Sequence, residues 1–540
     1  MDSNITLPFL STVNLIISDM TLHTSASKLI TCVYWDEVVA EDGFLALGRN
    51  RYHCTYVIYT DGTYTYAENG TTGKLVYGGP NNLGGTTGTS SAAVLQAALN
   101  ALTVGRTWKE KVVVKGNHTM TATVTIPSYT CLDMYGANFE LGFNGHMFVW
   151  TDKTDIEILG GYYDGNKATY DTDLWSCMTG SPVTRLIVKD CIIHDFKGKG
   201  FYPARLIGGA IENIISYSNG QDGIYLEGTA VTATERVEVR NCVTYNNGRH
   251  GFNVGVVKYT NFIGCTSYSN TNDGWNVEGG TLAGTNYYSD SIKLIDCRAR
   301  DNGWYGIMVQ MGGYRVTLQN CISNNNTFHG LYIRGSDDAY TQYDIKILGG
   351  SYYENQQAGI SVAYGVKKLK MIGVSVYNND QVEGGYDGID FGFTTNLEHV
   401  ILDDIHSYDD QLAPTQNYGV DFGAVDQSGK DVVCTNIYGE GNTVALWRGT
   451  VTETLYIQGY ITENQGAGEV IAAAVTSIAV AHGCSITPTV AEISVVLTNL
   501  PTNDIGDVYL SAIGAANFTI NCRNVPGVAT AIFSWAVRRV

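Results

Sequence analysis

The sequence predicts an all-β protein whose central part is a parallel β-helix, a solenoid of stacked coils. The main observation is one pattern that recurs six times: Asn, three residues, Gly, an apolar residue, any residue and a second apolar residue. The copies begin at Asn219, Asn247, Asn270, Asn302, Asn326 and Asn355. Successive copies lie 23 to 32 residues apart. A constant core with inserts of variable length indicates that each copy is one coil, with loops leaving one side.

Two alternating apolar residues precede most copies, and a small residue follows three positions after the second of them. The pairs are Val237 and Val239, Ile292 and Leu294, Val316 and Leu318, and Ile345 and Ile347. The small residues are Cys242, Cys297, Cys321 and Gly350, with Cys265 in the same role. Short runs with a period of two predict strands, and the Gly and Asn between them predict turns. We interpret the Asn and Gly positions as architectural, because Asn tolerates left-handed turns and stacked amides hydrogen-bond between coils.

Composition narrows the classes of partner. The net charge of −19 argues against nucleic acid, and it disfavours a polyanionic substrate unless cations cluster locally. No run of 18 apolar residues is present, so no membrane span is expected. Residues 1–20 lack the basic region and the cleavage site of a signal peptide. No Cys/His spacing indicates zinc, and no cofactor or metal is expected.

Five cysteines share one position of the coil and are predicted to be buried free thiols, since no paired spacing appears. They are Cys191, Cys242, Cys265, Cys297 and Cys321.

The chain divides into four predicted regions. Residues 1–78 lack the repeat and are expected to form a small N-terminal β domain, with a hairpin where 56–59 precede Asp61 and Gly62. Residues 79–92 have the composition of a linker, 93–465 form the β-helix, and 466–540 form a C-terminal domain similar to a β-sandwich. One helix is predicted over 90–100, capped by Ser90 or Ser91.

The start of the solenoid resembles a known superfamily. A short helix is followed by a Val-rich strand at 112–114, by 124–127 ending in Ile-Pro, and by 131–136 ending in Gly. This order is similar to the entry of the pectate-lyase-like right-handed β-helix superfamily, in which the helix covers the open N-terminal end of the solenoid. The resemblance spans about residues 88–460 and implies a right-handed β-helix with a capping helix.

The short strands after Val470 resemble the small C-terminal β domains of phage tail fibres and tailspikes. Together with the β-helix and the N-terminal domain, this implies a tailspike-like homotrimer at the virion surface. The N-terminal domain would attach to the baseplate or capsid, and the solenoid would bind a host cell-surface polysaccharide. Two alternatives remain open: an extracellular polysaccharide lyase or hydrolase that is not attached to a virion, and a structural surface protein or adhesin without catalysis. The expected absence of a signal peptide favours the virion.

Stacking places equivalent residues of successive coils in columns, and three columns share one face because side chains alternate along a strand. The residues before each repeat Gly are Asp222, His250, Asp273, Tyr305, His329 and Ala358. The outward residues after the first apolar position are Tyr225, Asn253, Asn276, Met308, Tyr332 and Ser361. The residues two positions further are Glu227, Gly255, Glu278, Gln310, Arg334 and Ala363.

These columns gather candidate catalytic groups. Glu227 and Glu278 are expected two coils apart, about 9.5 Å, at the upper end of the separation in an inverting glycosidase. Gly255 between them would leave room for a sugar, and His250 would serve as acid or base near neutral pH. Asp222 and Asp273 complete the catalytic candidates.

The substrate-binding candidates are Tyr225, Tyr332, Arg334, Asn253 and Asn276, with the tyrosines stacking on sugar rings. Two other interpretations stay open: glycan binding without cleavage, and a solvated face in which the acids merely form turns.

A second candidate lies further along the chain. Residues 388–392 and 419–423 are near copies, so Asp390 and Asp421 are expected side by side at about 5 Å. Such a pair suits a retaining glycosidase or a cation site, and the alternative is two exposed turn aspartates. The motifs of polygalacturonases and pectate lyases are not assembled here, so the sequence leaves open whether the chain is an enzyme.

Overall fold

The computed structural model describes residues 53–538, apart from 230–231, 283–284, 336–341, 394–396, 424–431, 449–454, 459–463, 473–474, 482–486, 500, 502, 515 and 527–529. Within that part the chain forms a β-solenoid of about 10 turns with one α-helix. Residues 1–52 of the predicted N-terminal domain and residues 482–486 of the predicted C-terminal domain lie outside the described residues. The four predicted boundaries therefore stay predictions.

One wall of the solenoid is a sheet of 13 parallel strands, which we call the 13-stranded sheet. Each of its central strands begins directly after a repeat Gly, where the apolar-any-apolar pattern starts. Its strands are Val124–Thr125, Phe148–Trp150, Met178–Gly180, Phe201–Pro203, Ile224–Glu227, Phe252–Gly255, Trp275–Glu278, Ile307–Gln310, Leu331–Arg334, Ile360–Ala363, Ile389–Phe393, Tyr418–Asp421 and Ala445–Arg448.

The other walls are continuous in hydrogen bonding and form a 28-stranded sheet. Its strands are Tyr56–Thr60, Thr65–Asn69, Leu75–Gly78, Glu110–Val114, Gly116–Met120, Thr130–Asp133, Ala137–Leu141, Lys153–Leu159, Tyr162–Asp164, Val183–Lys189, Ile192–His194, Leu206–Glu212, Ile215–Tyr217, Thr234–Arg240, Val243–Tyr245, Val257–Ile263, Thr266–Tyr268, Ser289–Ile295, Arg298–Arg300, Gly313–Tyr314, Thr317–Gln319, Ile322–Asn324, Gln342–Leu348, Ser351–Tyr353, Val366–Tyr377, Leu397–Tyr408, Val432–Tyr438 and Leu455–Gln458.

The interior is filled by the inward residues of these strands, which form one continuous apolar core. The predicted cysteine column is part of it: all five of its members are fully buried. All ten cysteines in the described part of the chain are free thiols, which confirms that prediction for them.

The Asn column runs from coil to coil as a hydrogen-bonded ladder. Asn270 Nδ2 donates to Asn302 Oδ1 at 3.1 Å, and Asn247 Nδ2 donates to Asn270 Oδ1 at 3.0 Å. The same Oδ1 atoms accept a backbone N–H of the preceding coil, as Asn270 does from Asn247 at 3.1 Å. Because both ends of each amide are satisfied inside a buried turn, the ladder fixes the coil register.

A row of aromatic side chains covers the outside of the 28-stranded sheet. The rings of Tyr217, Tyr245 and Tyr268 stack in order at 4.8 and 4.9 Å, within 4° of parallel. Tyr353, Tyr377 and Tyr408 continue the row with spacings of 4.7 and 5.0 Å. These spacings equal the strand spacing, so the stack follows from the in-register sheet.

The helix spans Ser91–Asn100, and Ser90 caps it by accepting a hydrogen bond from the Ala93 N–H at 3.2 Å. Its apolar side chains, such as Leu95 and Leu99, belong to the solenoid core at the N-terminal end. The predicted hairpin is also present, with Tyr56–Thr60 antiparallel to Thr65–Asn69. Tyr56–Thr60 additionally pairs in parallel with Glu110–Val114, so this β region is joined to the solenoid sheet.

The remaining strands are antiparallel. A small hairpin, Gly280–Leu282 and Thr285–Tyr287, follows directly after the strand that carries Glu278. The C-terminal part contains two three-stranded sheets that share one hydrophobic core. Their strands are Asn464–Ile471, Ile493–Leu497 and Ala531–Val537 in one sheet, and Ser477–Ala481, Val508–Ser511 and Asn517–Cys522 in the other, with a 3₁₀ turn at Val490–Glu492. No helix among the described residues has the length and apolarity to cross a membrane.

Candidate functional site

The outward side of the 13-stranded sheet, from Phe201–Pro203 to Tyr418–Asp421, is called the site face here. The register confirms the predicted columns. Tyr225 pairs with Asn253, which pairs with Asn276, and the column continues through Met308 to Tyr332. In the next column Glu227 pairs with Gly255, which pairs with Glu278, followed by Gln310 and Arg334.

The turn column brings together three ionisable residues. The His250 N–H donates to Asp222 Oδ1 at 3.3 Å, and the Tyr305 N–H donates to Asp273 Oδ1 at 3.1 Å. His250 Nδ1 lies 3.0 Å from Asp273 Oδ2. The Asp273 N–H donates to Nδ1 at 3.4 Å, so Nδ1 contacts both the backbone and the carboxylate of Asp273. These two contacts orient the imidazole, as in a histidine that an aspartate positions for proton transfer.

These groups are not a solvated surface. Asp222, His250 and Asp273 are 0%, 4% and 1% exposed, so they are not solvated, whereas the backbone hydrogen bonds that both aspartates accept agree with the structural, turn-forming alternative. The nearest cation to Asp222 Oδ2 is Arg249 Nη1 at 3.9 Å, and Oδ2 has no hydrogen-bond partner in the described part of the chain. Asn253 Nδ2 is likewise buried and unpaired there. Buried polar atoms without partners are costly in a folded protein and indicate a place where a ligand or water binds.

Glu227 is held as a hydrogen-bond acceptor. It accepts bonds from the hydroxyls of Tyr202 and Tyr225, the latter at 3.0 Å. Burial raises the pKa of both tyrosines well above the ordinary range, with Glu227 raising them further, so both phenols stay protonated donors. The two rings stack at 5.2 Å, and Lys199 Nζ lies 4.3 Å from the Tyr202 ring centroid.

Glu278 lies in a different environment. Burial raises its pKa above the ordinary range, which favours the protonated carboxylic acid. Gln310 Nε2 donates to Asn276 Oδ1 at 2.9 Å and lies 3.4 Å from Glu278 Oε2. Asn276 Nδ2 in turn donates to Asn253 Oδ1 at 3.2 Å. This amide chain fixes the side chains around the carboxyl group.

Gly255 separates the two carboxyl groups. A Cβ at this position would lie 3.4 Å from Tyr225 Oη and 3.9 Å from Glu278 Oε1, so the space above the glycine is bounded by both residues. Glu227 and Glu278 are two strands apart, about 9.6 Å at the usual strand spacing. The site therefore contains one carboxyl group that accepts two phenol hydrogen bonds and one whose pKa is raised by burial, on either side of Gly255.

An aromatic cluster adjoins this pair on the same face. Tyr305 lies 4.7 Å from Tyr332 and 5.6 Å from His329, measured between ring centroids, and His329 lies 6.1 Å from Tyr386. Burial lowers the pKa of His329 to about 3, and its Nδ1 accepts the Ala358 N–H at 3.2 Å. The imidazole is thus neutral, with its remaining N–H on Nε2.

The second predicted pair is also in register, since Asp390 pairs with Asp421. Both are buried, at 8% and 2% exposure, so the alternative of exposed turn aspartates does not hold. Asp387 joins them, and one oxygen of each carboxyl lies within 4.8 Å of the others. Burial and the neighbouring Asp421 raise the pKa of Asp387 to about 8. This arrangement can share a proton or hold a hard cation through oxygen ligands.

Three members of the site were missed by sequence reasoning. Asp387 precedes Gly388 as Asp222 precedes Gly223, so the column rule could have found it. Lys199 likewise precedes Gly200, and Tyr202 lies in the column of Tyr225. That coil escaped notice because Phe196 stands where the repeat has Asn, although the Phe196 N–H still donates to Asn219 Oδ1 at 3.1 Å.

Comparison with known proteins bears on the fold. A family model described as "Right handed beta helix region" matches residues 230–398. The fold is a right-handed β-helix. The predicted handedness is therefore confirmed. A comparison with curated proteins finds no match.

Several solved structures have a similar fold. The chain is similar to the A-module of mannuronan C-5 epimerase AlgE6 of Azotobacter vinelandii, with 16% identity, 68% of this chain and 94% of that chain covered, and a TM-score of 0.50. A tailspike protein mutant of E. coli bacteriophage HK620 in complex with a hexasaccharide shows 10% identity, coverage of 87% and 92%, and a TM-score of 0.49. The Dettilon tailspike protein shows 10% identity, coverage of 83% and 91%, and a TM-score of 0.40.

Proposed function

We propose that the chain binds a polysaccharide along the site face and cleaves it by acid/base glycoside hydrolysis. The observation that carries this proposal is the pair of carboxyl groups across Gly255. Their environments differ: Glu227 accepts two phenol hydrogen bonds, whereas burial raises the pKa of Glu278. Acid/base hydrolysis requires two carboxyl groups in different environments, one that gives a proton and one that accepts a proton.

The roles follow from those environments. Glu278 donates its proton to the leaving glycosidic oxygen, a role that a carboxyl group with a pKa raised by burial suits. Glu227, as the carboxylate, orients and deprotonates a water molecule on the opposite side of the sugar ring. His250, oriented by Asp273 at 3.0 Å, offers Nε2 to a substrate hydroxyl, and the buried Asp222 accepts the His250 N–H and so holds the turn that carries His250.

Binding rests on the residues that flank the pair. Tyr225 and Tyr332 offer aromatic surface to sugar rings. Asn276 uses its Oδ1 and Nδ2 to bond Gln310 and Asn253, and it thereby positions Asn253, whose Nδ2 is the amide donor for a sugar hydroxyl. Arg334 supplies a guanidinium at the exposed edge of the face.

The catalytic assignment is tested by changing Glu227→Gln and Glu278→Gln separately and measuring depolymerisation of the polysaccharide of host cells. We expect each change to lower kcat by about 10²-fold or more, because each removes one proton-transfer group. Glu238→Gln is the matched control, since Glu238 lies on the other sheet and pairs with Arg240. Unchanged activity in both site variants would contradict the assignment.

The second candidate is hydrolysis at Asp390 and Asp421, favoured by the burial of three carboxyl groups at that place. These aspartates are adjacent in register, about 4.8 Å apart at the strand spacing, which suits a retaining mechanism rather than an inverting one. The same cluster could instead hold a structural cation.

At the level of the whole protein, we propose a tailspike-like virion surface protein that attaches through its N-terminal domain to the baseplate or capsid. Its support is the sequence resemblance of the solenoid entry and of the C-terminal strands. An extracellular polysaccharide lyase or hydrolase, and a surface adhesin without catalysis, remain the alternatives. Attachment is tested by labelling purified virions with antibody against the chain, and absence of label from infectious particles would contradict it.

A further inference from the structure

The site face carries aromatic side chains on both sides of the carboxyl pair. Tyr202 and Tyr225 stack within 10° of parallel on the N-terminal side of Gly255. Tyr305 and Tyr332, with His329, lie on the C-terminal side, one and two strands beyond Glu278. Tyr202, Tyr225 and Tyr332 lie in one column, and Tyr305 and His329 lie in the neighbouring turn column. A single chain of sugars that runs along the solenoid axis can therefore contact both groups.

The polar groups of the C-terminal cluster are suited to uncharged hydroxyls. His329 is a neutral imidazole, because burial lowers its pKa to about 3. Its remaining proton lies on Nε2, because Nδ1 accepts the Ala358 N–H. Gln357 Nε2 donates to the hydroxyl oxygen of Tyr386 at 3.1 Å, so the Tyr386 O–H can itself donate to a sugar hydroxyl. Aromatic rings pack against the faces of pyranose sugars, and the N–H and O–H groups on these rings bond to sugar hydroxyls. Neither contact requires a charge on the ligand.

The cations of the face are matched by its own acids. Arg249 pairs with Asp222 at 3.9 Å, and Lys199 is attracted by Asp222 and Glu227. Arg334 forms no ion pair with a carboxylate among the described residues, and it lies over the Tyr364 ring at 5.6 Å. Acids still outnumber cations on the face, since Asp273, Asp390 and Asp421 come in addition to Asp222 and Glu227, whereas burial raises the pKa of Glu278 and Asp387. A polymer with a negative charge on each sugar would be repelled by the excess of carboxylates over Lys and Arg on the site face.

We propose that the site face takes an uncharged polysaccharide, whose rings stack at two aromatic subsites: Tyr202 with Tyr225, and Tyr305 with Tyr332 and His329. The proposal rests on the proposed function, since it names the substrate class of the same site. It also means that the polymer extends past the carboxyl pair in both directions, so cleavage occurs within chains rather than only at their ends.

The experiment measures binding by the full chain carrying Glu278→Gln, so that the glycan is not consumed. The probe is an array of bacterial surface glycans that includes neutral members and members with uronic or sialic acids. We expect the bound members to be neutral, with affinity that changes less than about twofold between about 50 mM and about 500 mM NaCl, because screening does not act on an uncharged ligand. Adding Tyr332→Ala or Tyr305→Ala should weaken binding about three- to tenfold, the loss of one aromatic contact.

Tyr245→Ala is the matched control, because Tyr245 is stacked in a similar way but lies on the other sheet. Tyr332→Leu is a second variant that keeps apolar volume at this position and is less liable to unfold than Tyr332→Ala. Thermal unfolding of each variant shows whether it is folded. Binding confined to acidic glycans, or lost about tenfold in high salt, would overturn the substrate class. Neutral binding that is unaffected by Tyr305 and Tyr332 variants would overturn the subsite. Both outcomes leave hydrolysis by Glu227 and Glu278 standing, whereas no bound glycan at all would count against the proposed function and this proposal together.

Discussion

At the scale of single residues, the Asn ladder shows how one side chain determines a coil. Asn270 is 2% exposed, and its amide bonds both to the coil before it and to the coil after it. Its Nδ2 also donates to Ser267 Oγ at 3.0 Å. The sequence alone predicted this role, because the side chain has donors and an acceptor and the Asn-to-Gly offset is constant.

Replacing Asn270→Ala should lower the free energy of unfolding by about 2–4 kcal/mol, because several buried donors and acceptors lose their partners at once. Urea unfolding followed by circular dichroism measures the change. Thr271→Ala at the neighbouring exposed position is the control and should be nearly neutral. Equal stability of the two variants would show that the ladder contributes little.

Asp387 makes the stability depend on pH. Burial and Asp421 raise its pKa to about 8, whereas an aspartate in an unfolded chain titrates near about 3.9. Between these values the folded chain holds a proton that the unfolded chain lacks. The free energy of unfolding should therefore fall as pH rises from about 4 to about 8, by up to about 1.4 kcal/mol per pH unit.

In Asp387→Asn this decline should be largely absent, because the amide does not titrate. Unfolding in urea at several pH values within that window measures the slope, and Asp410→Asn at an exposed position is the control. A slope that persists unchanged in Asp387→Asn would show that another group causes it.

Sequence reasoning predicted the positions of Glu227, Gly255 and Glu278 but not their electrostatic character. Their constant offsets place them in one column, whereas the raised pKa of Glu278 depends on how deeply the neighbouring side chains bury it. Tyr202, which donates to Glu227, lies in a coil without the Asn of the repeat. Periodicity thus identifies aligned residues, and packing decides which of them are charged.

At the scale of elements, the strand spacing assigns different stereochemistry to the two carboxyl pairs. Glu227 and Glu278 are separated by the strand Phe252–Gly255, which gives room for a water molecule beside the sugar. Asp390 and Asp421 lie on neighbouring strands, which leaves room only for direct attack on the sugar. The anomer first released from the polysaccharide therefore distinguishes the two sites.

We expect inversion of the anomeric configuration, because the first pair is the proposed catalytic site. Proton NMR during the first minutes of digestion measures the configuration before mutarotation. Glu278→Gln should abolish the product, while Asp421→Asn should leave its configuration unchanged. A retained configuration would assign catalysis to the aspartate pair instead.

The rows outside the 28-stranded sheet show what periodicity can and cannot predict for an element. Tyr217, Tyr245 and Tyr268 each lie two residues before an Asn of the repeat, so the column was present in the sequence. Sequence reasoning followed only the residues after the Gly and missed it. By contrast, the hairpin after Glu278 could not be predicted, because the inserts between copies share no pattern.

At the scale of the whole molecule, the repeat was sufficient to predict the β-helix, since a solenoid is defined by contacts between neighbouring coils. The N-terminal region was harder to predict. Tyr56–Thr60 forms its hairpin, as expected, but it also pairs with Glu110–Val114 across an intervening helix. Pairing between segments so far apart in the chain leaves no local signal in the sequence.

Assembly is a prediction at this same scale. We expect the purified chain to sediment as a trimer, at three times its 58.6 kDa mass, because the resemblance to tailspikes implies a homotrimer. Sedimentation equilibrium at several concentrations measures the mass. A monomer throughout would argue against the tailspike-like assignment while leaving the site face unaffected.

The central claim is that the outward side of the 13-stranded sheet binds the glycan and carries the carboxyl groups that cleave it. The most direct test is a crystal structure of the Glu278→Gln protein with fragments that the wild-type protein releases from host polysaccharide. The account predicts sugar rings along this face between Tyr225 and Tyr332, with a glycosidic oxygen within hydrogen-bond distance of residue 278. Fragments bound elsewhere, for example along the tyrosine row of the 28-stranded sheet, would contradict it.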